Sequence, residues 1–331
     1  MGITAETLPL CRPDQLESRS PDQAWLIRSL WTKSAVGIIG GAPKCCKSWL
    51  GLEMAVSIAS ATPCLDCFAV DDPGPVLVFL AEDAAFSVRA RIEALCAHRG
   101  GIKLADLDLH VITAPTLRLD LPADQKRLTA TLAAVRPRLL LLDPLVRLHR
   151  LDENSAADIS SLLGFVREMQ RVYDTAIILV HHASKKHRAQ PGKSLRGSSD
   201  LHAFGDSNAY LTRRAKHIVL TLEHRSAGAP EPIDMELVTQ KDGTGTHLKI
   251  VSEIQGQATY VSLRERILGL LNHANGPLTR TALREQLKVN NQRLGQALTQ
   301  LEQKKLALRT SKGWITLKAQ PNQPADEERQ F

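Results

Sequence analysis

The sequence contains no apolar run close to the roughly 20 residues that a membrane-spanning helix needs. Residues 1–21 also lack an apolar segment flanked by basic residues, the signature of a secretory signal peptide. Aromatic residues make up only 4% of the chain while apolar residues make up 43%, a balance typical of a globular α/β protein. We therefore expect a cytoplasmic protein without a membrane partner, and its 331 residues leave room for one large and one small domain.

Cysteines are also few, and their spacing does not provide the two pairs of a zinc site. Residues 64–67 form a lone C-x-x-C motif, which we interpret as coincidence in preference to a redox pair or half a metal site. Adjacent Cys45 and Cys46 leave open an oxidation-sensitive site, because a helix N-terminus favours the thiolate. The six cysteines are Cys11, Cys45, Cys46, Cys64, Cys67 and Cys96.

Residues 40–48, with the sequence GGAPKCCKS, stand between an apolar run at 35–39 and a helical run at 49–59. A strand, a loop ending in Lys-Ser and a helix are typical of a phosphate-binding loop, whose backbone N–H groups contact phosphate oxygens at the helix N-terminus. Lys47 would contact the β- and γ-phosphates of ATP, and the Ser48 hydroxyl would bind Mg²⁺. The predicted nucleotide-binding residues are Gly41, Ala42, Pro43, Lys44, Cys45, Cys46, Lys47, Ser48 and Trp49.

This motif departs from its pattern at one position. G-x-x-x-x-G-K-[ST] fits Gly41, Lys47 and Ser48, but Cys46 stands in place of the second glycine. A Cβ at that position crowds a turn in which the backbone approaches phosphate closely. An ordinary Gly/Pro turn between a strand and a helix is the alternative interpretation, and the rest of the chain decides between the two.

Two apolar runs that predict buried strands are each followed directly by acidic residues. The run at 76–81 is followed by Glu82-Asp83, and the run at 139–142 is followed by Asp143. Ligands of open α/β sheets lie beyond the carboxyl ends of the strands, so these acids are expected near the phosphate-binding loop. Glu82 is then a candidate general base for the attacking water, and Asp143 a candidate ligand of Mg²⁺ or its water.

The other acids next to predicted helices are interpreted as caps. We favour Asp83 as the N-cap of a helix at 84–98, and residues 152–154 as the source of a cap for a helix at 155–173. A further helix is predicted at 121–135.

A third buried strand, at 176–180, ends in His181 and His182. One of the two is a candidate contact to the γ-phosphate, and the residues alone do not choose between them. The alternative is a histidine that hydrogen-bonds a neighbouring carbonyl. The basic segment 183–193 fits either a contact to a nucleic-acid strand or a solvated loop. Antiparallel strands are predicted at 208–213, 217–223 and 233–237.

The net charge of +7 is concentrated near the C-terminus, since residues 261–318 contain eleven Lys and Arg but only three Glu. This segment predicts helices at 263–271, 280–287 and 292–304, followed by a hairpin at 306–317. Three helices and a basic hairpin are typical of a winged helix-turn-helix that binds DNA, with a protein-binding winged helix as the alternative. The candidate DNA-binding residues are Asn291, Arg293, Lys305, Arg309 and Lys312.

Five segments together resemble the RecA-like ATPases of the hexameric replicative helicase group, especially the plasmid RepA-type helicases and their AAA relatives. The resemblance covers residues 23–255 and is carried by GGAPKCCKSWL, VLVFLAED, LLLLDPL, ILVHHASK and RGSSDLHAFGD. It implies a RecA-like core with a mostly parallel sheet, ATP and Mg²⁺ as cofactors, and a homo-oligomer, in this group a hexamer.

The resemblance also implies roles for single residues. Glu82 would be the base, Asp143 the Walker B acid and His182 the γ-phosphate sensor, beside Lys47 and Ser48 at the phosphates. In RepA-type helicases an arginine after the RGSS segment contacts the neighbouring subunit, but Asp206 stands at about that place here. The candidates to replace this arginine are Arg213, Arg214 and Arg225.

We therefore expect a flexible arm at 1–22, an ATPase domain at 23–255, a winged helix at 256–318 and a disordered tail at 319–331. The favoured function is an oligomeric ATPase acting on DNA, with single-stranded DNA at the core and duplex DNA at the winged helix. A DNA-binding regulator or replication-initiation factor that uses nucleotide mainly for assembly is the alternative. A signalling ATPase of the circadian-clock type is a third interpretation.

Overall fold

A computed structural model describes residues 10–16, 24–153, 155–182, 199–214, 217–240, 245–251, 263–274, 276–287, 291–303 and 306–317. The chain divides into two compact units, Met1–Ala258 and Thr259–Phe331. The predicted domain boundary at 255–256 and the predicted tail at 319–331 lie outside the described residues, as does most of the predicted arm. Across the described ranges, every helix is too short or too polar to cross a membrane.

The first unit is built on one large sheet. Two short strands, β1 (Trp25–Ile27) and β2 (Trp31–Thr32), form a separate pair. The strands of the large sheet are β3 (Val36–Gly41), β4 (Val76–Leu80), β5 (Leu109–Val111), β6 (Leu139–Asp143), β7 (Ala176–His182), β8 (Ser207–Arg214), β9 (His217–His224), β10 (Ile233–Thr239) and β11 (Thr246–Ile250). The nine-stranded sheet has the order β11-β10-β9-β8-β3-β7-β6-β4-β5. The strands from β8 to β5 in this order are parallel, and β9 to β11 extend the sheet as antiparallel strands.

Helices cover both faces of the parallel strands. They are α1 (Lys47–Ser60), α2 (Ala85–His98), α3 (Pro122–Val135), α4 (Ala156–Tyr173) and the short α5 (Ser199–Phe204). Leu140 and Leu142 of β6 share a core cluster with Leu128 of α3 and Leu162 of α4. Leu141 faces α1, where a Cβ on Gly51 would lie 3.0 Å from its Cδ1.

Burial on both faces explains why β4 and β6 consist of continuous apolar runs, with all five residues of each buried. The large, mostly parallel sheet fits the predicted RecA-like P-loop core. Strand β11 was not predicted from the sequence, because Thr246–Ile250 has three polar side chains in its five residues and weak alternation.

Two predicted helix caps are wrong. The N-cap of α2 is Ala84, with no side-chain hydrogen bond, while the Asp83 carboxylate binds the Arg91 guanidinium through two hydrogen bonds of 2.7 and 2.9 Å. Helix α4 is capped by Ser155, whose side chain accepts a hydrogen bond from the Asp158 N–H at 3.4 Å. In the first case a bidentate ion pair competes successfully with capping, because charge-assisted hydrogen bonds are the stronger ones.

The second unit contains α6 (Leu263–His273), α7 (Arg280–Leu287), α8 (Asn291–Gln303) and the antiparallel strands β12 (Ala307–Thr310) and β13 (Gly313–Thr316). Leucines of the three helices pack with Trp314 in one small core. Thr279 caps α7 by accepting a hydrogen bond from the Ala282 N–H at 3.1 Å. The backbone of Leu278 pairs with Trp314, and a Cβ on Gly313 would lie 2.5 Å from the Leu278 carbonyl oxygen.

Candidate functional site

The loop between β3 and α1 turns tightly at the edge of the sheet. A Cβ on Gly41 would lie 2.4 Å from the Leu211 carbonyl oxygen of β8, so this position admits only glycine. Lys44 and Cys46 both adopt left-handed backbone angles, with φ of 61° and 66°. Cys46 therefore adopts the conformation that glycine would supply without strain, and it does so with a Cβ. Ala42, Pro43 and Lys44 are exposed at the loop surface.

Lys47 begins α1 and lies almost entirely inside the loop, with 6% of its surface exposed. Its Nζ donates a hydrogen bond to the Ala42 carbonyl at 2.8 Å, and the Cys45 thiol donates to the same carbonyl at 2.8 Å. Burial lowers the pKa of the Lys47 ammonium, while the neighbouring Cys45 and Asp143 act in the opposite direction. The ammonium is thus fixed in the loop that would hold phosphates.

Asp143, the last residue of β6, has 5% of its surface exposed. Burial raises the pKa of its carboxyl to about 6, although a hydrogen bond from the Ser48 hydroxyl and the charge of Lys47 lower it. Its Oδ2 is buried without a hydrogen-bond partner among the described residues. A buried, unpartnered carboxylate oxygen beside a serine hydroxyl is a pair of oxygen ligands that fits Mg²⁺.

Glu82 lies at the same edge, because Leu80 of β4 is aligned with Asp143 of β6. It is half-exposed, and its Oε1 accepts a hydrogen bond from Arg147 Nε at 2.7 Å. Arg147 was not predicted as a partner of Glu82. The available signal was its place directly after the strand that ends in Asp143-Pro144, on the edge where ligands of such sheets bind.

The neighbouring Asp83 does not face the same partners. Its ion pair with Arg91 is mostly buried, and the Arg91 guanidinium lies 5.9 Å from the centre of the Trp49 ring. Trp49, predicted as a nucleotide-binding residue, thus lies in the first turn of α1 beside a cation of α2. Arg89, on the same helix, is paired with Glu93 at 2.8 Å on the surface.

The two histidines of β7 are aligned with Gly40 and Gly41 of β3. His181 has 1% of its surface exposed, and its Nδ1 lies 3.8 Å from Glu153 Oε1. His149 lies 3.7 Å from the same carboxylate oxygen. His182 is the partly exposed histidine of the pair, beside the first glycine of the loop.

Asp206, at the position where the resemblance implies an arginine, stabilises the fold of the first unit. Its carboxylate is bound by Arg167 and Arg225 and accepts a hydrogen bond from the Val36 N–H at 3.2 Å, which fixes the start of β3. Of the candidate replacements, Arg225 is occupied by this cluster. Arg213 instead donates from Nη2 to the Lys44 carbonyl at 2.9 Å and so contacts the loop of its own chain.

The six cysteines are free thiols, and Cys45, Cys64 and Cys96 are buried. Burial raises the pKa of Cys45 and of Cys46, and it raises the pKa of Cys67 to about 12 with Asp66 adding to the effect. Thiols with raised pKa values are poor nucleophiles at neutral pH. The positive helix N-terminus therefore does not produce the reactive thiolates that an oxidation-sensitive loop would need.

The structure describes the side chains of two of the five predicted DNA-binding residues. Arg309 on β12 and Lys312 in the β12–β13 turn are exposed. Asn291 and Arg293 lie in the first turn of α8, but their side chains are outside the described part of the chain. Lys305 is outside it too, as are the basic segment 183–193 and the RGSS residues 196–198 that follow β7.

A comparison with known families gives one match. A family model described as an AAA domain matches residues 4–188, which is more than half of the chain. The matched part contains Lys47, Ser48, Glu82, Asp143 and His182, and it ends before β8. The antiparallel strands and the second unit lie beyond the match.

Proposed function

Because this chain belongs to the AAA-domain family, we propose that it is an Mg-ATP-dependent, RecA-like ATPase that acts on DNA as a homo-oligomer. The family match supports a nucleotide hydrolase of the ATPase type in general. One observation carries the finer proposal. Asp143, at the end of β6, is influenced by a hydrogen bond from Ser48 and by the charge of Lys47, both in the first turn of α1, and Glu82 follows β4 at the same edge.

Each of these groups suits one part of phosphoryl transfer. Backbone N–H groups of residues 41–48, apart from Pro43, which has none, would bind phosphate oxygens together with the Lys47 ammonium, and Ser48 and Asp143 would hold Mg²⁺. When bound, Mg²⁺ supplies positive charge that stabilises the negative charge on the phosphates. Glu82 accepts a proton from the attacking water, and His182 contacts the γ-phosphate from the neighbouring strand.

The second unit supports DNA as the partner. Its three helices and hairpin have the order of a winged helix-turn-helix, and exposed Arg309 and Lys312 lie on the hairpin. We propose that this unit binds duplex DNA while the ATPase unit binds a single strand. Assembly into a ring, a hexamer by the resemblance to RepA-type helicases, would bring a second chain against each nucleotide.

Two observations favour a second candidate, a DNA-binding regulator or initiation factor that uses nucleotide mainly for assembly. Cys46 strains the loop, and the half-exposed Glu82 is held by Arg147. Both features slow hydrolysis without preventing nucleotide binding.

The deciding experiment measures ATP hydrolysis by the full-length protein with Mg²⁺, alone and with single-stranded DNA, beside Lys47→Ala. Turnover that rises with DNA and disappears in the variant supports the motor. ATP binding without turnover supports the regulator. Absence of ATP binding overturns both nucleotide functions.

Binding to DNA is tested separately through its salt dependence. Removing one cation that binds a DNA phosphate reduces the slope of log K against log salt by about 0.9. Arg309→Ala with Lys312→Ala should therefore lower the slope for duplex DNA by about 2. Lys126→Ala, which removes a similarly exposed cation from α3, is the control and should leave it unchanged. An unchanged slope in the double variant would remove the hairpin from the DNA interface.

A further inference from the structure

We propose that Asp66, His98 and His247 form a binding site for one divalent transition-metal ion, with Zn²⁺ as the preferred ion. Asp66 lies in the turn 64–67, His98 ends α2 and His247 lies on β11. Each residue offers one ligand atom, and these atoms all lie within 4.8 Å of one another. This is the one such group of His, Cys, Asp and Glu side chains in the described part of the chain.

The site lies away from the nucleotide loop. Asp83 precedes α2 at the sheet edge, whereas His98 is its last residue, and a helix of 14 residues is about 21 Å long. The proposed ion is therefore separate from the Mg²⁺ that Ser48 and Asp143 would hold, and its binding does not depend on the proposed function.

The three side chains already contact one another. His98 Nε2 lies 3.1 and 3.0 Å from the two carboxylate oxygens of Asp66. The rings of His98 and His247 are stacked, with centroids 3.4 Å apart and planes 9° apart. His247 is 5% exposed, and its Nδ1 is buried without a hydrogen-bond partner among the described residues. A buried imidazole nitrogen without a partner is costly unless a ligand completes it.

Local backbone structure explains how the carboxylate comes to the histidines. Leu65 and Asp66 both have left-handed angles, with φ of 51° and 60°, in a turn closed by the Phe68 N–H and the Cys64 carbonyl at 2.9 Å. Asp tolerates this conformation better than most residues. Cys64 and Cys67 flank the turn but lie outside the ligand group, so the C-x-x-C motif is not the source of the site.

The electrostatic surroundings permit a cation. Arg99, which directly follows α2, forms a buried ion pair with Glu53 and donates a hydrogen bond to Ser57, so its charge is already paired.

The donor set selects the class of ion. Two imidazole nitrogens and one carboxylate suit Zn²⁺, whereas Mg²⁺ and Ca²⁺ prefer oxygen ligands. Nitrogens at about 2.0–2.1 Å from a tetrahedral Zn²⁺ are about 3.4 Å apart, and the candidate ligand atoms here lie within 4.8 Å of one another. The parallel rings must tilt for both lone pairs to converge, and water completes the coordination. The ion would link the turn 64–67, α2 and β11, and so tie the antiparallel edge of the sheet to the helical layer.

The test uses full-length protein without a histidine tag, stripped with EDTA and titrated with Zn²⁺ by calorimetry. We expect one Zn²⁺ per chain and a rise in melting temperature on binding. Asp66→Asn should weaken binding at least tenfold, because Asn keeps the shape and the left-handed tolerance but loses the charge. His98→Ala and His247→Ala should have the same effect. His110→Ala is the matched control, since His110 contacts Asp108 at 2.9 Å without a third ligand.

Three outcomes would overturn the site. They are no Zn²⁺ binding at micromolar concentrations, affinity unchanged in Asp66→Asn, and binding abolished in Cys64→Ser or Cys67→Ser. Substitution with Co²⁺ provides a second readout, because a thiolate charge-transfer band would place the ion on cysteine. Where His247→Ala does not fold, Asp66→Asn decides, since the Asp66 side chain is 56% exposed and its replacement leaves the core intact.

Discussion

Arg147 holds Glu82 by a hydrogen bond of 2.7 Å from Nε to Oε1, and both side chains are substantially exposed. The carboxylate that we propose as the general base is therefore hydrogen-bonded to an arginine that follows the neighbouring strand β6. Exposed ion pairs contribute about 0–1 kcal/mol, so this contact restrains Glu82 without locking it. The pair therefore joins Glu82, which follows β4, to the segment that follows β6.

Removing the Glu82 carboxylate should stop hydrolysis and leave nucleotide binding intact. General bases contribute about 10²–10⁴ in rate, so Glu82→Gln should lower ATP turnover at least 100-fold with an unchanged nucleotide dissociation constant. Glu93→Gln is the control, because Glu93 is also an exposed glutamate paired with an arginine. Near-normal turnover in Glu82→Gln would show that another group activates the water.

Releasing Glu82 from Arg147 should raise ATP turnover, by a smaller factor than the loss of the carboxylate lowers it. A restraint of up to about 1 kcal/mol corresponds to a factor of about five, so Arg147→Ala should raise DNA-independent turnover by up to about fivefold. Arg89→Ala, which breaks the exposed pair with Glu93, should leave turnover unchanged. A fall in turnover for Arg147→Ala would instead indicate that Arg147 acts on the phosphates.

Cys46 offers a test of backbone strain that is separate from its thiol. A Cβ in the left-handed region costs about 1 kcal/mol, and Cys46 has φ 66° and ψ 27°. Cys46→Gly should therefore bind ATP more tightly and melt at a higher temperature than Cys46→Ala, which lacks the thiol but keeps the Cβ. Equal behaviour of the two variants, measured by calorimetry and nucleotide titration, would contradict the strain argument.

Sequence patterns predicted the parts of this site that are local. Continuous apolar runs marked β4 and β6, and the acids directly after them are at the sheet edge because every parallel strand ends there. The contact of Glu82 with Arg147 joins positions 65 residues apart and depends on which strands are neighbours. Spacing alone does not contain that information.

The same lack of information about spatial neighbours explains the other wrong or missing predictions. Asp83 fits an N-cap by its position, but Arg91, about two helical turns later, competes for it. Asp66, His98 and His247 come from a turn, a helix end and an edge strand that was not predicted, so no motif connects them. Cys46 was recognised as a departure from the sequence pattern, and only the backbone angles show that the loop keeps its turn despite the side chain.

The buried carboxyl of Asp143 should make the protein less stable at higher pH. Its folded pKa of about 6 lies above the ordinary value of 3.8, so the folded state binds the proton more tightly. This group's contribution to stability is therefore greatest at low pH and falls as pH rises through about 6, by about 2–3 kcal/mol in all.

Asp143→Asn should accordingly raise the melting temperature of the nucleotide-free protein at about pH 7.5, and the gain should shrink toward about pH 5. The same variant should lose Mg²⁺-dependent hydrolysis, because the amide is a weaker ligand. Asp206→Asn is the contrasting control, since its carboxylate is paired with Arg167 and Arg225 and its loss should destabilise. An equal gain in melting temperature at about pH 7.5 and at about pH 5 would contradict the raised pKa of Asp143.

Arg213 should act within its own chain and not on a neighbour. Its hydrogen bond to the Lys44 carbonyl supports the loop, and such a bond contributes about 0.5–1.5 kcal/mol, so Arg213→Ala should raise the KM for ATP about 2–10-fold. Arg214→Ala removes the next cation on β8 and should leave the KM unchanged. An arginine that acts across subunits contributes about 10³–10⁵ in turnover. If Arg213 were that residue, Arg213→Ala would reduce turnover on this scale and mixing it with Lys47→Ala would restore activity at shared interfaces, whereas support within one chain predicts no restoration.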